Sequence, residues 1–286
     1  MKLGMHIATA GNIIGAPARA AAMGAETIQV FASNPRGWRP TNYTSEQASA
    51  FKSAATESNI NPIWMHMIYL VSYGTPDDEL RGKSVTAMRA ALANADLLGV
   101  HGVVTHMGSH KGLGFHQAVD RTVDSITQAL DASERSLFIL ENSAGQGGTM
   151  GNSLEELAAI IDGMKGHPRL AVCIDTCHAL AAGYEIRTAE GLDGFLADFD
   201  RLIGLNRLVC MHLNDSKADL GSHLDRHENI GYGHIGDEGF RRIINHPKLA
   251  HASGLLEVPG MDGKSGPDEA NMHRLLNLRA ISQHLT

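Results

Sequence analysis

Seven ionisable residues stand at the ends of short apolar or β-branched runs: His6, His66, His106, Glu141, Asp175, His212 and Glu257. Phe138-Ile139-Leu140-Glu141 and Ala171-Val172-Cys173-Ile174-Asp175 show the pattern. A charge at the end of a buried run is costly unless it is paired or ligates a metal. So many at equivalent places point to one shared centre rather than to separately capped ends. Two further pairs lie just beyond. Asp175 and His178 are three apart, a spacing that one helical turn or a tight loop aims at adjacent metals. Asp225 and His227 are two apart, which an extended segment presents on one face. A shell of histidine and carboxylate without thiolate suits zinc or manganese in an open, hydrolytic site. Cys173 and Cys177 flank Asp175. Cys173 is expected to point opposite to its neighbours, and both are read as small buried residues, not ligands. Of the chain's sixteen histidines, the scattered ones (His101, His116, His167, His246, His251, His273 and His284) are expected on the surface.

One motif is declined. Gly231-Tyr232-Gly233-His234-Ile235-Gly236 spells the dinucleotide fingerprint, but it follows Arg226-His227-Glu228-Asn229-Ile230 instead of an apolar strand. Its required context is missing, and no nucleotide cofactor is expected.

The elements that must carry these residues alternate. Eight runs read as strands: Leu3 to Ala8, Thr27 to Ser33, Pro62 to Met67, Gly102 to Met107, Leu137 to Asn142, Leu170 to Asp175, Leu208 to Leu213 and Leu255 to Val258. Helical spacing fills the gaps. Leu154, Leu157, Ile160, Ile161 and Met164 follow Ser153 and Glu156, which read as a capping box. Leu192, Phe195, Leu196, Phe199, Leu202 and Ile203 form one apolar stripe. A last helix is expected to start near Pro267 and to turn Leu275 and Leu276 inward. Eight strands each followed by a helix make a (β/α)8 TIM barrel, and 286 residues suit one such domain over 1–286. Active sites in that fold sit at the C-terminal ends of the strands, where the seven residues fall.

Composition narrows the class. With 43% apolar and 19% charged residues the chain is an ordinary globular one, and no apolar run reaches the roughly 20 residues that span a bilayer. The first residues enter a strand at once, without a leader-like pattern. Three cysteines are too few for a disulfide framework. A cytoplasmic protein without a membrane partner is the expectation. The net charge of −7 speaks against nucleic acid, unless bound cations change the balance at the site.

At these residues the sequence resembles the endonuclease IV family, the metal-dependent apurinic/apyrimidinic endonucleases of base excision repair. The resemblance runs from about residue 3 to the last helix. It rests on Asn34-Pro35-Arg36-Gly37-Trp38, Thr105-His106-Met107-Gly108-Ser109-His110, Glu141-Asn142-Ser143-Ala144-Gly145-Gln146-Gly147, Cys173-Ile174-Asp175-Thr176-Cys177-His178-Ala179, Met211-His212-Leu213-Asn214-Asp215 and Asp225-Arg226-His227. It implies three zinc ions, with manganese able to replace zinc at one site. His66 and His106 would hold the first; Glu141 would bridge to a second held also by Asp175, His212 and Glu257; His178, Asp225 and His227 would hold the third. The chain departs from the family pattern at Gly37, Met67, Ile68, Met107 and Val258, none of them a ligand position. Three Zn²⁺ move the whole chain from −7 toward −1, so the DNA-facing end can be locally positive.

What the resemblance implies is hydrolysis of the phosphodiester 5′ to an abasic site in double-stranded DNA by a monomer. The products are a 3′-hydroxyl and a 5′-deoxyribose phosphate. Glu141 and Glu257 would be catalytic, Glu257 by orienting or deprotonating the attacking water. Arg36, Tyr69 and Leu70 would enter the duplex as wedges, though Tyr69 and Leu70 could instead pack the loop after the third strand. Two other readings compete: a single-metal sugar isomerase or epimerase on the same barrel, and a metal-stabilised DNA-binding protein without catalysis. In the isomerase, His178, Asp225, His227 and the Arg36 loop have no job.

Overall fold

The eight apolar runs close into one parallel barrel. A computed structural model describes residues 1–9, 11–263 and 266–281. Its barrel strands are β1 (Lys2–His6), β2 (Thr27–Phe31), β3 (Ile63–His66), β4 (Gly102–Thr105), β5 (Leu137–Glu141), β6 (Leu170–Asp175), β7 (Leu208–His212) and β8 (Ser253–Leu256). They pair in chain order, and β8 closes on β1. Most stop a residue or two before the expected ends, because the chain there turns out of the ladder to serve the centre. The eighth also begins earlier than expected, at Ser253.

Nine helices occupy the described residues between and after the strands: α1 (Ala16–Ala22), α2 (Ser45–Glu57), α3 (Asp78–Leu98), α4 (Phe115–Leu130), α5 (Leu154–Gly163), α6 (Thr176–Ala182), α7 (Ala189–Leu202), α8 (Gly236–Asn245) and α9 (Glu269–Ile281). Local chemistry sets their starts. Asp77 caps α3 by accepting the N–H groups of Glu79 and Leu80. Ser153 caps α5, but only half of the expected capping box forms. Glu156 turns its carboxylate to the N–H groups of Gly151 and Asn152 instead, because the bend leading into the helix leaves those two donors free. α9 begins two residues after Pro267, with the Asp268 carboxylate on the Asn271 N–H. Leu275 is buried there and Leu276 half-buried. None of the described helices is long and apolar enough to cross a membrane.

Strand alternation sorts side chains into two cores. Met65, Val103, Phe138, Leu140, Val172, Ile174, Met211 and Leu256 face outward into the large cluster shared with the helices. Trp64, Val104, Ile139, Ala171, Cys173, Cys210 and Leu255 face inward and fill the barrel. Gly4 completes that interior: a Cβ there would lie 1.8 Å from the Thr27 carbonyl oxygen, so only glycine lets β1 approach β2.

Candidate metal centre

Period two carries the inward face straight to the reactive residues. Trp64, Val104, Ile139, Cys173, Cys210 and Leu255 each stand two residues before His66, His106, Glu141, Asp175, His212 and Glu257, so the latter six form the next layer up, at the open mouth. Cys173 points opposite to its neighbours Val172 and Ile174, as expected, but this does not turn it away from Asp175. It shares the inward face with Asp175, one layer deeper, because residues two apart in a strand lie on one side. Cys177 is also wholly buried, although its thiol falls within reach of a possible cation position formed with Asp175 and His227. Burial and the Asp175 charge push that thiol up to about 12.

The remaining residues arrive on loops. Asp175 ends β6 and caps α6, accepting the N–H of His178 at 2.9 Å, so one helical turn brings His178 back over the centre. Asp225 and His227 come from the excursion between β7 and β8, where Asp215–Ser216 pairs antiparallel with His227–Glu228. Among the described residues, possible ligand atoms converge within 4.8 Å of one another in His66, His106 and Glu141; in Glu141, Asp175, His212 and Glu257; and in His178, Asp225 and His227.

Glu141 is the hub. Its Oε2 lies 3.1 Å from His66 Nε2 and 3.5 Å from His106 Nδ1, and its Oε1 lies 2.8 Å from His212 Nδ1 and 3.7 Å from His178 Nδ1. Glu257 Oε2 is 3.4 Å from His212 Nδ1, and His227 Nε2 is 3.5 Å from Asp175 Oδ2 and 3.4 Å from Asp225 Oδ1.

The histidines are held from behind. His66 Nδ1 donates to the Met67 carbonyl at 2.7 Å, His178 Nδ1 to the Asn142 carbonyl at 3.0 Å, and His227 Nδ1 to the Glu257 carbonyl at 3.3 Å. A carbonyl only accepts, so each of these nitrogens carries the hydrogen, and in the neutral ring the opposite nitrogen aims a lone pair at a carboxylate. Two acceptors facing each other require something positive between them. His227 Nε2 makes the point, since it is buried with no hydrogen-bond partner among the described residues.

Electrostatics agree. Burial alone would raise Glu141, yet His106, His212 and His66 hold it well below the usual carboxylate range. Asp225, half-exposed at the rim, falls to about 2; its partial burial would raise it, but His178 and His227 beside it outweigh that. Burial would lower His178, but Asp175, Asp225 and Glu141 push it up to about 10. Among the described residues, these carboxylates find histidines as ion-pair partners and no lysine or arginine. The donor set fits hard or borderline divalent cations.

The expected wedge residues are placed separately. Tyr69 and Leu70 follow β3 and are 59% and 38% exposed, while Val71 and Tyr73 just after them are buried. Tyr69 stands edge-on to Phe31 at 5.4 Å above the centre and takes the Pro35 carbonyl on its N–H at 3.1 Å. This joins it to the loop of exposed Arg36. Cavities of about 510 and 340 Å³ open on either side of Tyr69. Four of the five departures, Met67, Ile68, Met107 and Val258, are buried.

The family model described as a xylose isomerase-like TIM barrel matches residues 17–279. The "Probable endonuclease 4" of Methanoculleus marisnigri is 42% identical over 278 residues, covering 96% of this chain and 98% of that one. The chain belongs to the endonuclease IV family. A second such endonuclease, from Halothermothrix orenii, is 38% identical across 92% of this chain and 95% of its own length. The crystal structure of endonuclease IV from Thermus thermophilus superposes with a TM-score of 0.85 at 34% identity, covering 99% and 100% of the two chains. A D-psicose 3-epimerase shares the barrel alone, at 16% identity and a TM-score of 0.65. This endonuclease IV family member is therefore an enzyme of the nuclease class.

Within it, three side chains that sequence reasoning passed over support the candidate ligands. Asn142 accepts the Asp175 N–H at 2.6 Å. Asn214 donates to Asp175 Oδ2 at 2.6 Å and accepts the Glu257 N–H at 2.8 Å. Gln29 joins His6, His212 and Glu257. Gln29 and Asn142 lie in apolar strand runs or at their ends and Asn214 two residues past His212, the one signal that could have found them. His6 joins no ligand group among the described residues and pairs with Glu257 at 3.2 Å. Of the scattered histidines, His101, His116, His251 and His273 are exposed and His167 and His246 half-buried; His284 lies outside the described residues.

The declined glycine motif has its own explanation. Asp215 is fully buried, and its carboxylate accepts the N–H groups of Ser216 and Ile235 at 2.9 Å on one oxygen. The other oxygen takes Gly231 at 2.9 Å and Gly233 at 3.0 Å, with Gly236 shared between the two. The loop is an anion cradle filled from within. A Cβ on Gly233 would meet Asp215 Oδ1 at 2.5 Å.

Proposed function

We propose that this enzyme hydrolyses the phosphodiester 5′ to abasic sites in double-stranded DNA with three zinc ions per chain, acting as a cytoplasmic monomer and leaving a 3′-hydroxyl and a 5′-deoxyribose phosphate. The observation that carries the reading is the convergence of three ligand groups, two of them sharing Glu141. A sugar epimerase leaves His178, Asp225 and His227 without a role.

His66, His106 and Glu141 would hold one ion; Glu141, Asp175, His212 and Glu257 a second; His178, Asp225 and His227 the third, with manganese able to replace zinc at one of them. When bound, these ions supply Lewis-acid polarisation of the phosphodiester and hydroxide at neutral pH. Glu141, buried at the hub, holds the two groups in register. Glu257, with its side chain 18% exposed at the rim, orients the attacking water and accepts its proton. Arg36 offers charge to the DNA backbone, and Tyr69 and Leu70 are exposed where they can fill the space left by a missing base.

The test is incision of a duplex oligonucleotide carrying one abasic analogue, read for a 3′-hydroxyl product, alongside a screen of ketose sugars. Elemental analysis should find close to three metal ions per chain. Glu141→Gln removes the hub charge at constant shape and should lose several orders of magnitude in turnover with the fold intact. A wild-type protein that epimerises sugars and leaves the abasic duplex whole refutes the proposal, as does a Glu141→Gln protein that incises at the normal rate.

A further inference from the structure

Every barrel strand except β2 ends in, or runs straight into, an ionisable residue of the mouth layer. Strand β2 contributes Gln29 instead, in register with His6 on β1 and fully buried. Its amide is used on both sides. The carbonyl oxygen lies 3.0 Å from His212 Nε2. The NH₂ group donates to Glu257 Oε1 at 2.5 Å and lies 3.0 Å from His6 Nδ1. Glu257 fixes this orientation of the amide, because its carboxylate can accept but not donate.

The consequences run through His212. An amide oxygen on Nε2 requires the hydrogen to sit there, which leaves Nδ1 as the lone-pair nitrogen facing Glu141 Oε1 at 2.8 Å and Glu257 Oε2 at 3.4 Å. For His66, His178 and His227 the same service comes from backbone carbonyls. For His212 it comes from the side chain of Gln29. The same amide restrains Glu257 through its other oxygen.

We infer that Gln29 is a positioning residue for the Glu141, Asp175, His212 and Glu257 group, setting the tautomer of His212 and the rotamer of Glu257 together. The inference rests on the functional reading above for its metal, yet concerns only the ion in that group. Partners behind a ligating histidine typically change metal affinity by about 10–100-fold when removed.

Gln29→Leu keeps the bulk and removes both contacts. Gln29→Glu keeps an acceptor for His212 but sets a carboxylate against Glu257. Zinc affinity is measured by competition with a chromophoric chelator, with zinc alone as the probe, and the cobalt-loaded proteins are compared by visible spectroscopy, whose bands report ligand geometry. In Gln29→Leu one ion should bind about 10–100-fold more weakly, the other two should be unchanged, and the cobalt spectrum should shift. Gln29→Glu should weaken the same ion, and serves alone should the leucine variant not fold. A folded variant that binds all ions as the wild type does, with an unaltered cobalt spectrum, overturns the inference. A wild-type chain holding only the ion of this group overturns the three-ion function and leaves the role of Gln29 intact; one that holds no ion overturns both.

Discussion

Replacing Asp215 by Asn should damage the enzyme more than its distance from the ligand ring suggests. The carboxylate takes two N–H groups at 2.9 Å on Oδ1 and two at 2.9 and 3.0 Å on Oδ2, with Gly236 shared. An amide retains one of those oxygens. Whichever is kept, at least two backbone donors lose their acceptor and face an NH₂ group in a site without solvent. At about 1–3 kcal/mol for each buried donor left unpaired, the loss is roughly 2–6 kcal/mol, a large part of the ~5–15 kcal/mol that holds a domain folded. Guanidinium unfolding of the zinc-loaded proteins should show it as a lower midpoint at unchanged slope. There is a second readout. Asp215 and Ser216 form the ribbon partner of Glu228 and His227, so slackening the loop should loosen the ion of the His178, Asp225 and His227 group although no ligand was touched. A loss under about 1 kcal/mol with full metal content refutes the reasoning.

Three further outcomes follow from the geometry. His227→Ala, which deletes an Nε2 that has no hydrogen-bond partner among the described residues, should cost one ion and slow abasic-site incision by at least roughly a hundredfold while the protein still folds; elemental analysis and the duplex assay check both. Arg36→Ala, at an exposed loop tip, should weaken binding of abasic duplex and flatten its salt dependence with metal content unchanged, as a filter-binding titration over salt would read. Glu26 is partly buried, which raises its pKa, but Arg279 and the Leu3 N–H outweigh that and hold it below the ordinary value. A depressed carboxylate stabilises the fold above its unfolded pKa and stops doing so as pH falls through the folded one. Glu26→Gln should therefore be less stable than wild type at neutral pH, with the difference starting to shrink only as pH falls below about 4.

How far the sequence alone reaches is clearest residue by residue. Glu141, Asp175 and His212 were legible because a charged residue closing an apolar run has few tolerable fates, and all three end strands in the barrel. Cys173 follows the same parity as Asp175 and so lies one layer beneath it, a placement that strand alternation alone dictates. Gln29 offers only the faint signal of a polar residue within an apolar run. It lies inside Thr27–Phe31, uncharged, and its partners His212 and Glu257 are 183 and 228 residues away. Only closure of β8 onto β1 makes them neighbours. Asp215 could be read as part of a motif, but its acceptor role depends on glycines that loop back from 16 to 21 residues later. Long-range polar contacts of this kind leave no period in the chain.

The inward layer beneath the ligands has a consequence for how ions come and go. Trp64, Val104, Ile139, Cys173, Cys210 and Leu255 plug the barrel with apolar and thiol groups that offer a hydrated cation no foothold. Traffic is therefore restricted to the mouth, past Tyr69 and the rim of Glu257. Any macromolecule seated over that mouth acts as a stopper. An occupied enzyme should surrender its metals to a chelator at the rate its occupant leaves, so that loss of ions times the residence of whatever covers them.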